Sequence, residues 1–393
     1  MPGRHFLFVP GPTNVPDRVL RAMHRAQEDH RSSAFPAFSR SLFPALKKVF
    51  RTVLGQPFIF AATGSAMWEA CLVNALSPGD RVLAVRNGQF SHLFIDCALR
   101  LGMQVDVIDL EWGEPADADR IGGALAADTA HEIRAVLVVH NETATGVTSD
   151  LGAVRRAMDR TAHPALLCVD GVSSIGSLDF RFDEWQVDFA IAGSQKGFMM
   201  PAGVGLLCAS QKALALGDQA RCPRAFFDLR DQIKHNADGY FPYTPPLAHL
   251  FGLREALDML FEEGLENVTA RHHRLGEGVR RAITAWGLAL CARDRKSYSG
   301  TVSAVVVPDG ADARRVIDIA FRRYNLSLGA GLGRLSGKVF RIGHVGDLNE
   351  LMLLGALAGV EMALKDAEIP VALGSGVAAA QGWWRESADP RVA

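Results

Sequence analysis

Short apolar runs alternate with helical patterns of apolar residues through the first half of the chain, and that alternation sets the fold class. The runs fall at 58–61, 81–85, 104–108, 135–139, 165–169, 189–192 and 205–209. Between them apolar residues recur at helical spacing, as Leu151, Val154 and Met158 do in a segment at 147–161 that reads as one amphipathic helix. Strands separated by helices predict an α/β fold with a mostly parallel sheet.

The pattern then changes. A long helical region runs from 246 to 286, with Leu253, Ala256, Leu257 and Leu260 on one face. Strands at 301–307 and 338–342 follow, interleaved with helices at 312–324 and 348–365, which suits a smaller α+β domain. A chain of 393 residues exceeds what one core normally supports, so two domains are expected. The stretch up to Pro16 has turn residues and no periodicity, and reads as an extended arm. From Gly374 onward a flexible tail around one short helix is expected. The expected organisation is an arm at 1–20, a large α/β domain at 21–265 and a small C-terminal α+β domain at 266–393.

The formal net charge is −1, so nothing global attracts nucleic acid or an anionic membrane. The six cysteines form no Cys-x-x-Cys pair and no zinc spacing with histidine, so no metal site is expected. Most lie in apolar runs and read as reduced core cysteines of a cytoplasmic protein. The apolar run at 6–9 is too short for a signal peptide and meets Pro10-Gly11-Pro12. No apolar segment is long enough to span a bilayer without interruption.

Ligands of a parallel sheet bind at the carboxyl ends of its strands. Lys196, in Gly193-Ser194-Gln195-Lys196-Gly197, follows one apolar run, and Asp170 follows the run before it. Such a pair suggests a pyridoxal phosphate (PLP) enzyme: the lysine can form a Schiff base and the aspartate can keep the pyridinium nitrogen protonated. Each residue alone also has an ordinary reading, as a solvated lysine and a turn or cap aspartate. Thr63-Gly64-Ser65, between a strand and a helix start, is an anion site or a plain helix cap. Phe90 could cover a flat cofactor or simply pack in the core. The polar run His140-Asn141-Glu142-Thr143-Ala144-Thr145-Gly146 offers hydroxyl donors for a cofactor phenolate oxygen, or turn residues. Arg341, flanked by apolar residues, needs a partner when buried: a substrate carboxylate or a protein one. Two near-motifs, at 329–334 and 332–339, approach a dinucleotide fingerprint and a P-loop, but each lacks required residues.

With these segments in view, the chain resembles the class V, fold type I, PLP-dependent aminotransferases, in the branch that uses serine and glyoxylate. The likeness extends from Phe8-Val9-Pro10-Gly11-Pro12-Thr13-Asn14 to Gly374-Ser375-Gly376-Val377-Ala378-Ala379-Ala380. It includes Val169-Asp170-Gly171-Val172-Ser173-Ser174-Ile175-Gly176, Tyr243-Thr244-Pro245-Pro246 and the segments around Lys196 and Arg341. The resemblance implies a ping-pong transfer of the amino group of L-serine to glyoxylate, giving hydroxypyruvate and glycine. Aspartate and alanine are alternative donors. By position it implies Lys196 as Schiff-base residue and acid/base, and Asp170 as partner of the pyridinium nitrogen. Val172 and Phe90 would flank the ring. Thr63, Gly64, Ser65 and Gln195 would hold the phosphate, and Thr143 the phenolate oxygen. Tyr243 and Thr244 would reach the cofactor of a second subunit in a homodimer. Arg341 would clamp the substrate carboxylate, and His30 and Arg31 would enter the pocket from the partner.

Three positions depart from relatives. Ser65 and Phe241 stand where some alanine-using relatives have His and Tyr, and His30 stands where some serine-using relatives have Tyr. A cysteine desulfurase is disfavoured because 326–340 holds no cysteine and Gln195 replaces its usual His. A non-catalytic binding protein on the same fold is disfavoured by Lys196, Asp170 and Arg341 together, and a nicotinamide dehydrogenase by the lack of a complete early fingerprint.

Overall fold

The computed structural model describes residues 5–387. In chain order the strands are β1 (Phe6–Phe8), β2 (Gln56–Phe60), β3 (Arg81–Arg86), β4 (Gln104–Asp109), β5 (Ile133–Val139), β6 (Asn141–Glu142), β7 (Val147–Thr148), β8 (Leu166–Asp170), β9 (Phe189–Gly193), β10 (Gly205–Ala209), β11 (Ala289–Leu290), β12 (Val302–Val306), β13 (Leu326–Ala330) and β14 (Val339–Gly343). The helices are α1 (Asp17–Met23), α2 (Phe35–Phe50), α3 (Gly64–Val73), α4 (Gln89–Arg100), α5 (Ala118–Ala127), α6 (Leu151–Thr161), α7 (Gln211–Leu214), α8 (Leu229–Ala237), α9 (Leu247–Glu263), α10 (Leu265–Ala285), α11 (Ala313–Tyr324), α12 (Glu350–Asp366) and α13 (Ser375–Glu386).

Seven strands form the large sheet, in the order β2-β10-β9-β8-β5-β3-β4. The pairs β9–β8, β8–β5, β5–β3 and β3–β4 are parallel, and β10 is antiparallel to both β9 and β2. Thus β2 runs the same way as β9, and the carboxyl ends of β2, β3, β5, β8 and β9 share one edge. The central strands are buried on both faces, as covered parallel strands are. Alternate residues serve two cores: Leu83, Val136, Val138, Leu167, Val169 and Ala190 face one, and Val82, Ala84, Leu137, Leu166, Cys168 and Ile191 the other.

The second sheet has the order β1-β13-β14-β12-β11. Its own apolar cluster joins Phe340 and Ile342 to Leu275 of α10, Val316 of α11, Leu353 and Val360 of α12, and Trp384 of α13.

Four local expectations change. The segment read as an extended arm supplies β1, which pairs in parallel with β13, Phe6 opposite Leu326. The helix expected to begin at Val147 begins at Leu151, because Val147 and Thr148 pair with Asn141 and Glu142 in a small hairpin. Asp150 is the N-cap, accepting the Ala153 N–H at 2.8 Å. The helical region at 246–286 is two helices, broken at Gly264. The expected tail is the docked helix α13, with Ala380 and Trp384 buried; residues 388–393 lie outside the described chain. Among the described residues no helix is long and apolar enough to cross a membrane, all six cysteines are free, and no metal-binding cluster occurs.

Candidate active site

Strand β9 ends at Gly193, and the turn after it carries Lys196, 8% exposed. Its Nζ donates to the carbonyl of Pro10. The next residue, Gly11, has φ +104 and lies so close that a Cβ there would collide with the lysine side chain. The N-terminal segment therefore passes directly over the lysine. Burial pulls the Lys196 ammonium down to about 8, the charge of Arg341 adds to the effect, and Asp170 opposes it.

Asp170 closes the neighbouring strand β8 and is 4% exposed. Its Oδ1 accepts the Val172 N–H at 2.8 Å, and its Oδ2 accepts the indole N–H of Trp68 at 2.9 Å. Burial raises its pKa, and the two hydrogen bonds and Lys196 oppose that rise.

At the carboxyl end of β2, Thr63 caps α3 with an extended backbone and no side-chain hydrogen bond. The first amides of α3 thus have no side-chain partner, an arrangement that favours anions. Gly64 packs against the Val172 side chain, where a Cβ would lie 2.6 Å from Cγ2. Nearby, the buried Oε1 of Gln195 has no hydrogen-bond partner. These groups surround a cavity of about 270 Å³ lined by Gly11, Pro12, Ser65, Trp68, Phe90, Asp170, Val172, Gln195, Lys196 and Ala202. A larger cavity of about 790 Å³ lies between the N-terminal segment and residues such as Arg271, Asp347 and Met352, and holds no lysine.

Thr143 and Arg341 are buried near this cavity without lining it. Arg341, on β14, donates from Nε to Ala330 O at 2.9 Å and from Nη1 to Thr143 O at 3.0 Å. Among the described residues it forms no carboxylate pair, so a protein salt bridge is not its partner. Burial pulls its pKa to about 10, against the field of Glu142. The Thr143 hydroxyl donates to Ser173 Oγ at 2.7 Å, which also accepts from Asn141 Nδ2 at 2.9 Å.

Five further expected residues lie outside the cavity of their own chain. His30 and Arg31 sit in the loop between α1 and α2; Arg31 is exposed, and His30 Nε2 is buried without a partner. Tyr243 is 39% exposed and stacks on Phe226 with ring centroids 4.9 Å apart, and Thr244 beside it is exposed. Thr63 is exposed at the α3 cap. Sequence reasoning missed Trp68, Ser173 and the closeness of Pro10 and Gly11 to the lysine. Trp68 had one usable signal: it lies one helical turn after Gly64 and Ser65, on the same face.

The aminotransferase class-V family model matches residues 5–332. The serine–glyoxylate aminotransferase of Methylorubrum extorquens is 60% identical over 98% of this chain and 97% of that protein. The L-aspartate–glyoxylate aminotransferase of Paracoccus denitrificans is 51% identical over 98% of each. The crystal structure of ureidoglycine–glyoxylate aminotransferase from Bacillus subtilis superposes with a TM-score of 0.90 at 27% identity, covering 98% of this chain and 99% of that one. By family match, by full-length likeness and by fold, this chain belongs to the class-V aminotransferases.

Proposed function

We propose that the protein is a PLP-dependent aminotransferase that moves the amino group of L-serine to glyoxylate, yielding hydroxypyruvate and glycine. One observation carries the reading: Lys196 and Asp170, both buried, line one cavity at the carboxyl ends of adjacent parallel strands. The donor set fits PLP. The uncapped start of α3 suits a phosphate, and the buried Asp170 carboxylate suits a ring N–H. Thr63, Gly64, Ser65 and Gln195 would hold the phosphate, Phe90 and Val172 the ring faces, and Thr143, its hydroxyl turned away from Ser173, the phenolate oxygen. Bound there, PLP supplies an electron sink for charge developing at the substrate Cα and carries the amino group between the two acids.

The chain's own residues do the rest. Lys196, held near 8, is close enough to neutrality to take the Cα proton and return it. Pro10 and Gly11 keep bulk water from the lysine. Arg341 already spends two of its N–H groups on carbonyls, which fixes the guanidinium plane, and its remaining donors would grip the substrate carboxylate. Tyr243, Thr244, His30 and Arg31 would complete a neighbouring site in a homodimer, which agrees with their exposed loops.

The 60% identity to a serine-using enzyme supports serine as donor. The relative at 51% keeps aspartate as the second reading. The test is the absorbance spectrum of the protein loaded with PLP, recorded with L-serine or L-aspartate and no acceptor. Serine is expected to convert the bound-cofactor band at lower concentration than aspartate. Conversion by aspartate alone would reassign the donor, and failure to take up PLP would overturn the reading.

A further inference from the structure

We infer that Trp68 is a positioning residue, and that α3 sets the spacing between the two ends of the cofactor by holding its phosphate at one turn and the Asp170 carboxylate at the next. The inference rests on the PLP reading above. Gly64 and Ser65 open α3, and Trp68 follows one turn later on the same face. One turn rises about 5.4 Å, a rigid step between the anion seat and the indole N–H.

Trp68 is 6% exposed and stacks on Phe94, with ring centroids 5.7 Å apart and planes 18° from parallel. Its ring therefore cannot swing, and its N–H points at Asp170 Oδ2 from 2.9 Å. The other carboxylate oxygen is held by the Val172 N–H at 2.8 Å. Both oxygens are anchored, and each retains a lone pair for a third donor. Donation to the charged form favours ionisation, against the burial that disfavours it. Trp68 thus favours the charged form of the carboxylate against that burial and aims it. A role in packing alone would be met equally well by phenylalanine.

The test compares the wild-type protein with W68F, which retains an aromatic ring against Phe94 and loses the N–H. PLP is removed, and the dissociation constant for PLP is measured by absorbance titration. The constant is expected to rise about 10-fold, the effect of losing one hydrogen bond to a charged group. Turnover of L-serine with glyoxylate should show a lowered kcat, with KM for L-serine within about twofold. In a D170N background, W68F should add little, because its effect passes through Asp170. W68F with wild-type PLP affinity, or with the same loss in the D170N background, overturns the inference.

If W68F folds poorly, the indole N–H resonance of Trp68 in the wild-type protein decides. It should resist hydrogen exchange and shift in D170N; rapid exchange with no shift rejects the contact. Wild-type protein that takes up no PLP removes the functional reading and this inference with it. Uptake by wild type with unchanged behaviour of W68F removes the inference alone.

Discussion

Two buried glutamates begin helices to which they do not belong. Glu142, fully buried, accepts the N–H of Ser91 at 2.9 Å, of Ala144 at 3.1 Å and of Phe90 at 3.3 Å. Glu361, 2% exposed, accepts the N–H of Gly374 at 2.6 Å, of Gly376 at 2.7 Å and of Val377 at 3.2 Å, and the Trp286 indole N–H at 2.9 Å. The helices they serve, α4 and α13, have glycines at the N-cap, Gly88 and Gly374, which carry no capping side chain. The same physics has different consequences. The first turn of α4 presents Phe90 to the cavity, whereas α13 closes the back of the small core through Ala380 and Trp384. A buried glutamate at a helix start is therefore a fold device, and only its neighbours make it part of a site.

The comparison is sharpest under substitution. E142A and E361A should each lower the free energy of unfolding by about 3–5 kcal/mol, since each strands several buried N–H groups. Urea denaturation measures this. Only E142A should also weaken PLP binding. Equal weakening in E361A would break the distinction between the two regions.

Acid should separate the regions next. Burial holds His140 down at about 4, and His272 and His344 at about 3, against an ordinary 6.5. His272 donates to Val268 O at 2.7 Å and accepts the Gly346 N–H at 3.1 Å, which fixes it as a neutral tautomer. His344 donates to Gly300 O at 2.8 Å and faces Ser303 Oγ at 3.1 Å. The unfolded chain protonates these groups first. Their contribution is complete above about pH 6.5 and is lost as pH falls toward the folded values, by about 1.4 kcal/mol per pH unit for each histidine. His272 joins α10 to the loop after β14, and His344 joins that loop to the start of β12. Hydrogen exchange at pH 5 should therefore rise there before it rises in the large sheet. The opposite order would be a contrary result.

The smallest effect distinguishes the two glycines. Gly88 is extended, and a Cβ there would strike the Glu142 side chain, so G88A should destabilise by about 1–3 kcal/mol through overpacking. Gly374 has φ +85 with open space around it, so G374A should lose only about 1 kcal/mol of backbone strain. Melting curves of the two variants would test the order.

The large sheet was legible because buried parallel strands are written as unbroken apolar runs: β5 reads IRAVLVV and β9 reads FAIAG. Their ends were therefore visible, and with them Lys196 and Asp170. Strand β13 was not seen, because LSLGA is short, with a polar residue and two small ones. In the hairpin β6–β7, β7 was absorbed into a helix and β6 into a polar run, because two residues per strand leave no period to read. Trp68 was hidden in the apolar helix GSAMWEACLV, where a tryptophan reads as core. Its link to Asp170 is a contact across 102 positions, which no local pattern encodes.

The cover over Lys196 has a consequence for how the molecule is made. Pro10 and Gly11 are held in place by β1, and β1 is held by β13, where Phe6 pairs with Leu326. Strand β1 therefore waits for a partner about 320 positions further along the chain, tens of seconds at about 5–20 residues per second. Until then the nascent large sheet carries its lysine bare to solvent or to any chaperone that meets it. The cavity around Lys196 is covered only once β13 has been made, so a chain truncated before β13 would leave the lysine without its N-terminal cover.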